Sequence, residues 1–112
     1  MDLGSWRSQL RKGAAELAVL AVLSRRQRYG LEILQEIVEE GLEITEGTLY
    51  PLLNRLQRDG KITAQWVEDE GASHPRKYYR LTEEGTAFLQ AMSEEWTTFS
   101  AGLSRLIKGD SP

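Results

Sequence analysis

The stretch from Ile44 to Gly60 constrains this chain more than any other. Leu49, Leu52, Leu53 and Leu56 recur at i, i+3, i+4 and i+7, so a helix here gathers four leucines on one side and must bury them. The other side carries Thr48, Tyr50, Asn54, Arg55 and Arg58. Hydroxyl, amide and guanidinium groups of this kind contact base edges and phosphates in a DNA groove. The same pattern also fits an ordinary core helix with a solvated outer face, and the spacing by itself weighs the two equally.

Both ends of this helix are marked. Thr45 is suited to cap its start, Ile44 and Leu49 are spaced to pack as a hydrophobic staple, and Asp59 with Gly60 supplies a stop. Pro51 has no N–H to donate one turn back, so a helix starting at Thr45 is expected to distort in its first turns.

The segments around it supply the context. Leu3, Trp6 and Leu10 form a narrow apolar stripe on a polar segment, suited to a partner helix. After Lys12 and Gly13, residues 14–24 are apolar nearly all round, which predicts a buried central helix. Residues 25–28 read as a polar connection. A second amphipathic helix is expected over 29–40, with Ile33, Leu34, Ile37 and Val38 inward, Glu32, Gln35, Glu36 and Glu39 outward, and Gly41 as its stop. Two helices joined by the short link 42–44, the second polar outside, match a helix-turn-helix.

The period then changes. Ile62, Ala64 and Trp66 alternate with Thr63, Gln65 and Val67, and a second β-rich run over 77–82 follows the loop 69–75. Tyr78 and Tyr79 read as one inward and one outward residue of a strand, without deciding which, and Trp66 as packed or half-exposed. A hairpin attached to a helix-turn-helix is a wing. The fold class expected is therefore mainly α with a small β-hairpin.

A final helix is expected over residues 83–108, with Thr82 as N-cap and Glu83 and Glu84 in the first turn. At 1.5 Å per residue it would be about 39 Å long, more than a small domain needs to cover itself. Phe88, Met92, Trp96, Phe99, Leu103 and Leu106 step by 4, 4, 3, 4 and 3, approaching the seam of a helix packed along another helix. We expect residues 1–82 to form a winged helix-turn-helix, and 83–112 a dimerisation helix with a short frayed tail at 109–112. The Leu3, Trp6 and Leu10 stripe would join the homodimer interface.

Charge bears on the partner. With 14 Lys and Arg against 17 Asp and Glu, the net charge of −3 lacks the bulk basicity of a typical nucleic-acid binder. Three basic clusters, Arg25, Arg26 and Arg28, then Arg55, Arg58 and Lys61, then Arg76, Lys77 and Arg80, would still give a positive field if they share a face. The absence of cysteine removes disulfides, thiolate metal ligands and a cysteine nucleophile. His74, the only histidine, sits in a polar loop without a partner ligand. No phosphate loop, nucleophile elbow or metal motif is present, so neither an enzyme nor a cofactor is expected. The longest apolar run, Leu17 to Leu23, is far too short to span a bilayer, and the chain reads as cytoplasmic.

Four blocks, Leu3 to Trp6 with Leu10 to Gly13, Tyr29 to Ile33, Thr45 to Leu56, and Arg76 to Gly85, resemble in order and spacing the PadR family of bacterial transcriptional regulators. The resemblance implies a winged helix-turn-helix that dimerises through its C-terminal helix and usually represses. It further implies that Thr48, Tyr50, Pro51 and Arg55 lie on a DNA-facing recognition helix, with Arg76 and Lys77 flanking the wing. Asn54 and Arg58 join this set from the helix pattern. The acidic wing tip, Glu68, Asp69 and Glu70, and Glu46 at the helix start depart from what phosphate would favour.

Met92, Trp96 and Phe99 on the seam could line an apolar slot for a small apolar or aromatic effector, or simply pack the interface. The partners expected are a double-stranded DNA operator, a second copy of the chain and a small-molecule effector, with no membrane. A protein-interaction module on a winged-helix scaffold is the alternative, and steep salt dependence of DNA binding separates the two.

Overall fold

The computed structural model describes residues 1–109. Four helices and three short strands follow one another as α1 (Gly4–Leu23), β1 (Arg28–Tyr29), α2 (Gly30–Glu39), α3 (Glu46–Arg58), β2 (Ile62–Val67), β3 (Arg76–Leu81) and α4 (Glu83–Lys108). The strands form one antiparallel sheet in the order β1-β3-β2.

The N-terminal stripe and the apolar segment behind it are one helix, with no break at Lys12 and Gly13. An interior glycine costs a helix about 1 kcal/mol relative to alanine. Burial of Ala15, Val19, Leu20 and Leu23 offsets that cost further along the same helix. The N-terminal turns leave Leu3, Trp6 and Leu10 exposed.

Helix α2 is capped at its start by the Glu32 carboxylate, which accepts from the Tyr29 N–H at 3.2 Å. It ends at Gly41, whose φ of +81° lies in the left-handed region. Ile33 and Ile37 are fully inside, whereas Val38 is exposed, contrary to the expected inward face. The helix spans 10 residues, and the arc it turns to the core is filled by Ile33 and Ile37.

The leucine face of α3 is buried as its spacing requires. Leu49, Leu53 and Leu56 are fully enclosed and Leu52 nearly so. Thr45 caps the helix, its hydroxyl accepting from the Thr48 N–H at 3.2 Å. The helix begins at Glu46, one residue after Thr45, and runs on without a break through Pro51. The carbonyl that loses its donor belongs to Gly47, which is exposed and has no side chain to crowd the proline ring.

The hairpin joins this unit to α4. Ile62 pairs with Leu81, Ala64 with Tyr79 and Trp66 with Lys77, so all six share the sheet face turned toward the helices. Thr82 ties the end of the hairpin to α4. Its hydroxyl donates to the Gly60 carbonyl at 2.6 Å and accepts from the Gly85 N–H at 3.0 Å. Phe88, Leu89 and Met92 on α4 pack against the shared core. Beyond them the large apolar side chains of the helix are no longer covered. Its remaining apolar residues, Trp96, Phe99, Leu103, Leu106 and Ile107, are all exposed, Leu106 by 80%. Gly109 closes α4 in a left-handed conformation, and the rest of the expected tail, residues 110–112, lies outside the described residues.

Candidate nucleic-acid interface

Burying the four leucines of α3 orients the remainder of that helix. Gly47, Pro51, Asn54 and Arg58 step by 4, 3 and 4 along the side opposite the leucines and are all exposed. Thr48 and Arg55 fall on one flank of this arc, Tyr50 on the other. Thr48 is half-buried and takes part in the cap, with its hydroxyl 3.4 Å from that of Thr45.

Each flank is tied to a different neighbour. The Arg55 guanidinium reaches back to α1, where Nη1 lies 3.4 Å from a carboxylate oxygen of Glu16. Tyr50 leans the other way, onto the first turn of α2. A β-carbon on Gly30 would stand 2.5 Å from the Tyr50 hydroxyl, so only glycine admits the ring in this position. Arg58 is the freer cation of the helix, with 72% of its side chain exposed and, among the described residues, only the Asp59 carboxylate paired with it, at 3.8 Å.

The wing overhangs the Tyr50 flank. Tyr29, Tyr50, Trp66, Tyr79, Arg76 and Lys77 line a cleft of about 330 Å³ between hairpin and helix. Lys77 holds its ammonium 5.6 Å from the Tyr79 ring and 6.0 Å from the Trp66 ring. Arg76, on the other sheet face, stacks over Tyr29 at 4.6 Å. Trp66 is 67% exposed, more than its alternating pattern suggested, because the strand runs on past the helices that cover Ile62 and Ala64. Sequence spacing could not reveal this, since it fixes a residue's sheet face and not how far the covering helices reach.

The acidic wing tip is partly neutralised from within. Asp69 accepts from the Tyr78 hydroxyl at 2.8 Å and lies 3.7 Å from Arg76. Glu68 and Glu70 stay exposed. The hydrogen bond to Asp69 raises the pKa of Tyr78, with burial adding to the effect. Tyr79 is raised by burial, and then by its neighbour Tyr50.

The basic clusters do not all contribute to one field. Arg28 is buried at 3% exposure and forms a two-pronged ion pair with Glu36, one prong at 2.9 Å, while also donating to the carbonyls of Val22 and Arg26. The expected polar connection over 25–28 therefore ends in a structural residue, and Arg28 leaves the first cluster. Lys61 turns toward α4 and lies 4.5 Å from the centre of the Phe88 ring. Arg25, Arg26 and Arg80 are exposed.

A second concavity of about 630 Å³ lies between α1 and α4, lined mainly by Leu10, Leu17, Phe88, Met92, Trp96 and Phe99. It brings Leu10 together with the α4 seam residues. Leu3, just before α1, and Trp6 in its first turn lie outside its lining, as do Leu103 and Leu106 further along α4. Trp96 and Phe99 contact each other at 6.3 Å between ring centres. Among the described residues no helix is long and apolar enough to cross a membrane, and no cluster of acidic and histidine side chains could hold a metal ion.

A helix-turn-helix whose second helix exposes a polar arc beside a hairpin defines a winged helix-turn-helix. The profile of the transcriptional regulator PadR-like family matches residues 19–91, and the chain belongs to that family. A transcriptional regulator of Mycobacterium tuberculosis is 31% identical over 81 residues, covering 72% of this chain and 74% of its own. A PadR family regulator from Eggerthella lenta superposes with a TM-score of 0.82 at 35% identity, covering 94% of this chain and 91% of its own. A PadR-like transcription factor from Bacteroides fragilis gives 0.73 at 36% identity, covering 91% and 98%. The chain is accordingly a transcription regulator that acts by binding DNA.

Proposed function

We propose that the chain is a homodimeric repressor that places one α3 helix in each half-site of a pseudo-palindromic operator, the half-sites about 34 Å apart. The observation that carries this reading is the uncovered arc of Pro51, Asn54 and Arg58, held rigidly by four buried leucines and flanked by the wing. Asn54 and Tyr50 are the candidates for base contact. Arg55, Arg58, Arg76 and Lys77 would hold phosphates, and Thr48 and Pro51 would lie close to the groove wall. Residues 1–82 would be the DNA-binding unit, and 83–112 the dimerisation helix.

The dimer interface is assigned to Leu3, Trp6, Leu10, Phe88, Met92, Trp96, Phe99, Leu103 and Leu106. Exposure of the outer half of α4 supports it, because a contiguous run of exposed apolar residues on a small domain marks an interaction surface. The groove holding Met92, Trp96 and Phe99 is the site proposed for a small apolar or aromatic effector, which would relieve repression by changing the separation of the two α3 helices. A protein with this role acts in the cytoplasm.

Selecting bound fragments from a genomic library at low salt tests the reading. One enriched site with two-fold symmetry is expected, with affinity falling steeply as salt rises. An unenriched pool would overturn it.

A further inference from the structure

We infer that Glu16 is an internal competitor for DNA phosphate, withholding Arg55 from the DNA until the backbone of the duplex displaces it. The inference rests on the reading of α3 as the DNA-facing helix. Arg55 stands on the flank of the exposed arc, one helical turn from Pro51 and close to Arg58. Among the described residues, Arg58 has only its sequence neighbour Asp59, at 3.8 Å. Arg55 instead crosses to another element, and its guanidinium lies 3.4 Å from Glu16, a residue 39 positions earlier on α1. Among the described residues no other ion pair involves either side chain.

The environment makes this pair exchangeable. The Arg55 side chain is 46% exposed and that of Glu16 is 26% exposed, so neither charge is locked in a dry interior. Exposed ion pairs of this kind are weak, whereas a phosphate releases condensed counterions when an arginine neutralises it. A duplex laid along α3 can therefore take Arg55 from Glu16, at a cost that lowers affinity for every sequence alike. In the free protein the guanidinium is held by Glu16 on α1. This device limits non-specific binding without removing a phosphate contact from the bound state.

The test compares wild type, Glu16→Gln, Arg55→Gln and the double variant on a mixed-sequence DNA duplex, reading anisotropy across a salt series and melting by circular dichroism. Glu16→Gln is expected to tighten binding about two- to fivefold at low salt, and its effect should vanish in the Arg55→Gln background. Three results overturn the inference: unchanged affinity in Glu16→Gln, weaker affinity at an unchanged melting temperature, or the same tightening with and without Arg55. The last would mean that Glu16 acts as a diffuse negative charge. A different result, Arg55→Gln with wild-type affinity and salt slope, would overturn the role of Arg55 at phosphate. Folding of Glu16→Gln is checked by the melt, and Glu16→Asp, which keeps the charge on a shorter arm, is expected to fall between wild type and Glu16→Gln.

Discussion

Tyr50 on α3 lies so close to Gly30 at the start of α2 that a β-carbon on residue 30 would stand 2.5 Å from the phenol oxygen and 2.8 to 2.9 Å from the nearest ring carbons. The two helices of the helix-turn-helix thus meet through a ring on one and a missing side chain on the other. Because the contact falls on the tip of a side chain that is 42% exposed, Gly30→Ala is expected to swing Tyr50 aside and leave the fold standing. The expected outcome is a loss of stability of about 1 kcal/mol or less, with a larger change in DNA affinity. Comparing urea midpoints with anisotropy titrations checks it.

Gly85 has no such latitude. A β-carbon there would lie 1.9 Å from the carbonyl oxygen of Lys61, a backbone atom held by the turn into the hairpin. Gly85→Ala should cost about 1 to 3 kcal/mol or more, whereas Gly13→Ala, in open space inside α1, should gain about 0.5 to 1 kcal/mol. Thermal melts of the two variants should shift in opposite directions.

Arg28 is held by Glu36 and two carbonyls at 3% exposure. Glu36→Ala leaves that guanidinium buried without its carboxylate and should cost about 1 to 3 kcal/mol. A melt indistinguishable from wild type would contradict the structural role assigned to Arg28.

Two tyrosines link the wing to alkaline stability. Tyr78 and Tyr79 both stand above the ordinary value of 10.0, the first through its hydrogen bond to Asp69 and the second through burial. The folded state favours their neutral forms, so this contribution is complete below the ordinary value and is lost as pH rises through the higher folded-state values. Denaturant titrations at a series of alkaline pH values should show declining stability, and Tyr78→Phe should remove the part of the decline due to Tyr78.

The dimer proposed through α4 makes a separate claim on the outer half of that helix. Phe99→Glu places a charge on a residue that is 63% exposed in one chain, so the isolated fold should tolerate it while the interface should not. Sedimentation equilibrium is expected to give a dimer for the wild type and a monomer for the variant, with affinity for an operator falling in step.

The leucine repeat of α3, the caps at Thr45 and Thr82, the wing hairpin and the full span of α4 were all legible in the chain, because each is marked by a pattern of residues close together in sequence. Spacing of 3 and 4 decides which helical side is greasy, and a capping hydroxyl needs only the N–H groups that follow it. The same locality explains the misreadings. Val38 read as inward because helical spacing fixes a side of the helix and not how wide an arc the core covers. The two-residue strand at Arg28 and Tyr29 carries too little pattern to notice, and it exists because Tyr78 and Tyr79 lie alongside.

The sequence by itself determined the elements, their faces and the family to which the chain belongs. The tertiary structure decided what each exposed or charged side chain is free to do. Arg28, Arg55 and Arg58 are alike in sequence, yet one is buried against Glu36, one is drawn to Glu16 and one stands in the open. Charge acts through space over a few ångströms, and which carboxylate lies within that reach is fixed only when distant segments pack together.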